Sequence, residues 1–185
     1  MKNLFIFIFL FFGWSINSYS QNLGKLDLKY GFNKFTLESP FTNYKKYLKF
    51  LYDDEKTGVK YYHYNKKDIS VFGFNNIEEL TVGFYKEKLY TIDIVLSPQI
   101  NPDLYPLILS KLEELFGYPN VIVPNDVDYG KWDTRTFMKD GVQWRTEKTL
   151  LGLHRVKCTS PTRPCTTNIF LFSFKLQNQI NNDGF

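Results

Sequence analysis

Alanine is missing altogether from this chain of 185 residues. Cysteine occurs only at Cys158 and Cys165, and histidine only at His63 and His154. Each shortage removes a class of chemistry. A structural zinc site needs four ligands at tight spacing, and those four residues include one, His63, from a distant segment. A dithiol redox centre uses C-x-x-C at a helix start, whereas "CTSPTRPC" separates its thiols by six residues, two of them prolines. No G-x-S-x-G, H-E-x-x-H, phosphate-binding loop or G-x-G-x-x-G occurs. Neither a metal nor a cofactor is therefore expected. The lack of alanine goes with abundant Phe, Tyr, Ile, Asn and Lys, the residues of AT-rich codons. The 18% aromatic content thus does not by itself mark a sugar-binding surface.

Residues 1–20 read as a secretory signal peptide: Lys2, an apolar run from Leu4 to Trp14, and small Ser18 and Ser20 before the cleavage site. A run of about 11 residues is too short for a bilayer, which needs roughly 20. No cysteine sits at the cleavage site to carry a lipid, and no later segment is long enough to span a membrane. Cleavage removes one of 23 basic residues against 19 acidic ones. The remaining weak positive charge is interspersed with acids, so no nucleic-acid partner is indicated.

In an exported chain, an even cysteine pair reads as a disulfide, Cys158–Cys165. Setting the two opposite each other predicts a final hairpin, Leu150–Val156 with Thr167–Leu176. Its pairs are Val156–Thr167, Leu153–Phe170 and Leu151–Phe172, with the last two on one face. Residues 179–185 read as a frayed tail.

Upstream, Ser39-Pro40 resembles a helix start, and Phe41, Tyr44, Tyr47, Leu48 and Leu51 follow at helical spacing. Lys45, Lys46 and Lys49 form its solvated face, and 53–58 ends it. Strands are expected at Val59–Tyr64 and Ile69–Phe74. A hairpin with loop Lys86–Lys88 then pairs Phe84 with Tyr90, Val82 with Ile92 and Leu80 with Ile94. The opposite face pairs Thr81 with Asp93 and Gly83 with Thr91. A second helix starts with Asp103 as N-cap, in preference to Asn101, so that Pro106 falls at the third position. It carries the stripe Leu104, Ile108, Leu112 and Leu115, flanked by Leu109 and Phe116, and ends at Gly117. Asp140-Gly141 is expected to turn another hairpin, Phe137 facing Trp144 and Asp133 facing Lys148. Together these elements predict a single α+β domain over 21–178, an antiparallel sheet with two main helices on one face, divisible into two tandem half-units, 21–100 and 101–178.

Several residues are candidates for chemistry. His63 and His154 with a lysine could cleave phosphodiesters if they lie close together. Asp126, Asp128, Gly130 and Asp133 share features with the start of a calcium loop but lack its later ligands. Carboxylates for glycoside hydrolysis could come from Asp53, Asp54, Glu55, Glu78, Glu79, Asp93, Asp133 or Glu147. On the hairpin over 132–149, Trp132, Met138, Arg145 and Glu147 share one face, and Arg135, Phe137 and Trp144 the other. Trp132, Arg135, Trp144 and Arg145 form the candidate contact surface, since aromatics beside arginines are the composition of binding hot spots.

"LEELFGYPN" followed by a Trp-containing strand resembles the helix–G-x-P–strand layout of small periplasmic domains. Such domains include the SmpA-type outer-membrane-assembly lipoproteins and the β-lactamase inhibitor proteins built from two such units. Gly117, Pro119 and Trp132 carry the resemblance. The first half lacks the proline, and the lipoprotein cysteine is absent. The resemblance implies an exported binding or inhibitory module, periplasmic or secreted, of a Gram-negative cell envelope. Its expected partner is another envelope or secreted protein. The alternative is a small secreted hydrolase, either a histidine-dependent nuclease or a carboxylate glycosidase.

Overall fold

The computed structural model describes residues 23–66, 68–73, 75, 77–96, 104–123, 136–158 and 166–184. Residues 1–20, Asn101, Asp103, Asp126, Asp128, Gly130, Trp132, Asp133, Arg135 and Cys165 lie outside them. The chain runs α1 (Gly24–Lys29), β1 (Gly31–Phe32), β2 (Phe35–Thr36), β3 (Leu48–Asp54), β4 (Val59–Tyr64), β5 (Ile77–Tyr85) and β6 (Lys88–Leu96). It continues through α2 (Leu104–Phe116), β7 (Val121–Val123), β8 (Thr136–Arg145), β9 (Thr149–Cys158), β10 (Thr166–Ser173) and α3 (Phe174–Asn182). β1 and β2 form a small hairpin. The other strands form one sheet in the order β3-β4-β5-β6-β10-β9-β8-β7, antiparallel at every step. The last strand thus sits in the middle, joining 48–96 to 121–158. The class is α+β.

One sheet face carries the core. Leu80, Val82, Ile92, Ile94, Ile169, Leu171, Leu151, Leu153 and Trp144 pack there with Leu26 of α1 and with Leu104, Ile108, Leu112 and Phe116 of α2. The spacing 104, 108, 112 places one residue per turn on the same side. Phe116 completes this stripe in place of the expected Leu115, which is 36% exposed. Gly117, at φ 79°, ends the helix in the left-handed region that glycine tolerates.

The expected first helix does not form. Phe41–Asn43 and Lys45–Tyr47 are single 3-10 turns, and the chain extends from Leu48 onward. The apolar spacing fits both states. Pairing to β4 and the strand preference of Phe50 and Tyr52 decide it. Tyr44 turns toward the N-terminal hairpin, its hydroxyl accepting from Thr36 N at 3.0 Å. Residues 69–73 form no strand, although Ile69 and Val71 are buried.

Asp140-Gly141 is not a turn either. β8 passes straight through it, with Gly141 opposite His154 and Trp144 opposite Leu151, while Phe137 stands opposite Lys157. The reversal comes at 146–148, where Thr146 N donates to Thr149 O and Thr146 Oγ1 accepts from Thr149 N at 2.9 Å. β9 and β10 do pair, but one residue away from the register set by opposing the cysteines. Val156 faces Thr166, Leu153 faces Ile169, and Leu151 faces Leu171. A slip of one flips every side chain. Ile169 and Leu171 therefore enter the core, and Phe170 and Phe172 leave it.

The C-terminal segment is helical rather than frayed. Ser173 caps α3 by accepting from Leu176 N, and Leu176 and Ile180, one turn apart, are both buried. Glu38 ties this end to the N-terminal hairpin. It accepts from the Tyr30 hydroxyl, from Ser173 Oγ at 2.9 Å and from Lys175 Nζ at 2.7 Å. Burial opposes ionisation of Glu38, but these donors outweigh it and hold the carboxyl below its usual range.

In the β5–β6 hairpin the pairs Leu80–Ile94, Thr81–Asp93, Val82–Ile92 and Gly83–Thr91 match expectation. Past Gly83 the ladder shifts: Phe84 faces Leu89, not Tyr90, and Tyr85 faces Lys88. The turn is therefore two residues, Lys86 and Glu87, at φ 46° and 61°. Neither is the Asn or Gly such a turn favours. Glu87→Gly is expected to raise stability by about 0.5–1 kcal/mol, read from the urea midpoint, because a side chain in the left-handed region is costly. Lys86 is best kept, since its Nζ meets Asp183 at 2.7 Å.

Candidate functional site

Fixing the core face also fixes the other one. Two cross-strand rows lie on the opposite, open face: Tyr61–Gly83–Thr91–Phe172–Leu150–Arg145 and His63–Thr81–Asp93–Phe170–Gly152–Gln143. A bulge in β6 adds Tyr90, which belongs with Val59, Tyr61, Tyr85 and Ile180 to a small cluster separate from the main core. There α3 covers one end of the open face.

Glycines let rings lie down on the remainder. A Cβ at Gly152 would collide with the Phe170 ring, and one at Gly141 with the His154 imidazole. One at Gly83 would approach Tyr61 Cε1 and Val59 Cγ1 to 3.0 Å. A glycine inside a strand commonly marks such a close approach. His154 meets Phe170 edge-on with ring centres 4.6 Å apart. Phe170 stacks parallel to Phe172 at 6.5 Å, and Phe172 meets Phe174 at 5.2 Å. Near β3, Tyr52 stacks on Tyr61 at 4.8 Å. The result is a shallow, half-exposed aromatic surface rather than a cleft.

Acids gather at its β3–β6 side. Asp93 keeps solvent exposure, yet many protein atoms surround its carboxyl. Burial first, and then the charge of Glu79, push it up to about 6. Thr81 Oγ1 donates to Glu79 at 3.0 Å. Burial, followed by the charges of Asp54, Asp93 and Glu79, raises the Tyr52 hydroxyl. On the other side of the face, burial drops the His154 imidazole to about 4.

Of the sequence-derived contact residues, Trp144 is not on a surface. It is 0% exposed, and its Nε1 donates to Gly117 O at 2.7 Å. Burial of a large ring with its one polar atom satisfied makes it core. Arg145 is exposed on the open face, its guanidinium 4.8 Å over the Phe174 ring. Trp132 and Arg135 lie outside the described residues. Cys158 ends β9, opposite Thr136. His63 and His154 sit on β4 and β9 with three strands between them. At about 4.8 Å per strand they are roughly 19 Å apart, too far to share one phosphate. Among the described residues no group of three or more His, Cys, Asp or Glu is placed to hold a metal. Sequence reasoning counted Asp93 and Glu79 among many acids and did not single out Tyr52, Tyr61, Phe170 or Phe172. The available signal was Gly83, Gly141 and Gly152 inside strands.

A cavity of about 30 Å³, measured to the centre of a water-sized sphere, lies on the core side. Leu26, Phe32, Leu112, Phe116, Ile92 and Leu171 help line it, and Lys29 is the one charged residue in its wall. No acid–base pair converges there.

Comparison with family models, curated proteins and solved structures gave no match to this chain. No helix among the described residues is long and apolar enough to cross a membrane.

The two shifted groups oppose each other in pH. The folded Asp93 carboxyl is raised from 3.8, so its favourable contribution is complete below that value and is lost as pH rises through about 6. Asp93→Asn is expected to raise stability near pH 7.5 by up to about 1 kcal/mol, limited by solvent screening and read from the urea midpoint, and to lose that gain near pH 4. The imidazole is lowered from 6.5, so its contribution is present above 6.5 and is lost as pH falls toward about 4. His154→Gln is expected to flatten acid destabilisation over that window in the same titration.

Proposed function

We propose that this chain is an exported, non-enzymatic binding module whose open sheet face takes a basic segment of another envelope or secreted protein. One observation carries the reading. The face is laid flat by rings resting on glycines, and it sets Asp93 and Glu79 beside the stacked Tyr52 and Tyr61. Carboxylates attract Lys or Arg, and tyrosine faces attract the same cations. A flat aromatic surface suits a protein partner better than a small substrate, which is bound by a concave site. The sequence resemblance to small periplasmic domains, carried by Gly117, Pro119 and Trp132, supports the same reading.

A photo-crosslinking residue at Thr81 tests this in cells. One discrete protein adduct is expected, weakened by high salt and lost in Asp93→Lys. An adduct indifferent to Asp93→Lys, or none at all, overturns the reading.

The raised Asp93 carboxyl beside Glu79 favours a second reading, a carboxylate hydrolase with Asp93 as the acid and Glu79 as its partner. Polysaccharide turnover by the wild type that vanishes in Asp93→Asn would establish it in place of the first.

A further inference from the structure

The two edges of the sheet are guarded differently. β7 is three residues long, and a short edge is a common protection against strand addition. β3 is seven residues long, contains no proline, and pairs on one side only among the described residues. Phe50, Leu51 and Tyr52, at its centre, are 53%, 41% and 40% exposed. A long edge with an exposed apolar centre is a template for another strand.

The charges select the partner. Lys45, Lys46 and Lys49 precede the apolar centre, and Asp53, Asp54 and Glu55 follow it. A parallel copy would set like charges together. An antiparallel copy sets each basic end against an acidic end, twice. The faces agree as well. Lys49 lies opposite His63 on the open face, and Asp54 lies opposite Val59 on the same face. The bulge between Phe50 and Tyr52 turns Leu51 to the same side as Tyr52. A two-fold axis between Leu51 and Tyr52 therefore sets Lys49 against the partner's Asp54 and Leu51 against the partner's Tyr52, all on the open face. Phe50 and Asp53 meet on the core face.

We propose that the chain self-associates through antiparallel pairing of β3 with β3 of a second copy, which makes one continuous sheet of two open faces. This rests on the edge and its charge order, independently of what the open face binds.

Sedimentation equilibrium of the purified chain up to roughly 200 μM tests it. A monomer–dimer equilibrium is expected. Lys49→Glu and Asp54→Lys should each weaken it about tenfold, since two attractive pairs become repulsive. The double variant, and an equimolar mixture of the two single variants, should restore it. Asn65 N donates to Tyr47 O, so by alternation Phe50, opposite Tyr62, turns its N–H to the free edge. Phe50→Pro, checked for intact fold by circular dichroism, should abolish the dimer by removing that donor. A monomer throughout the range overturns the proposal. So does a dimer unchanged by Phe50→Pro, or one whose single charge variants are not rescued by mixing.

Discussion

Val82, Ile92, Leu171, Leu151 and Trp144, each from a different strand and each buried, stand in one line of direct cross-strand partners. Keeping that line dry is the constraint from which the remaining structure follows. Side chains alternate with a period of two, so one residue of slip on any strand would put a polar or oversized group into the row. Within the line, Trp144 fills the place against Leu151 and finds the one acceptor it needs in Gly117 O, at the end of α2. That hydrogen bond locks the helix terminus to the sheet, so the same ring fixes both a strand register and a helix position.

The open face is what the line leaves over. Once Ile169 and Leu171 point inward, Phe170 and Phe172 must point outward, and Gly152 gives Phe170 somewhere to lie. The arrangement costs something. Burial works against the charged form of both Asp93 and His154, in opposite directions of pH. Neither ionisable group improves the fold at neutral pH through its charge. Their presence on this face, together with exposed tyrosine, is easier to account for by contact with another molecule than by packing.

Sequence patterns were legible where two signals agreed. Alternation over 80–94 gave four correct pairs, and one residue per turn over 104–112 gave α2. The misreadings came where one local signal was allowed to decide. The spacing over 41–51 is compatible with a helix, but strand pairing to β4 lies far along the chain and cannot be read locally. Asp140-Gly141 has turn chemistry, yet Gly141 is there because the His154 ring needs its missing Cβ. Opposing Cys158 to Cys165 imposed a register one residue from that of β9 and β10, because two cysteine positions alone do not fix which residues of a hairpin stand opposite each other. The open face was the least legible. It depends on which of two faces α2 covers, and alternation alone is the same for both.

By its position, β10 joins β3–β6 and β7–β9 into one sheet. It inserts between β6 and β9, so the last strand made completes the ladder of the first half and of the second together. Its end, Ser173, both caps α3 and donates to Glu38, whose own backbone N–H bonds Leu89 O on β6 at 2.7 Å. N-terminal hairpin, central ladder and C-terminal helix thus meet at one residue, Glu38, through its backbone N–H and its carboxylate. Contacts this distant in sequence carry a high loop-closure cost before they stabilise anything. Within the sheet, neither β3–β6 nor β7–β9 completes its ladder until β10, Thr166–Ser173, is in place.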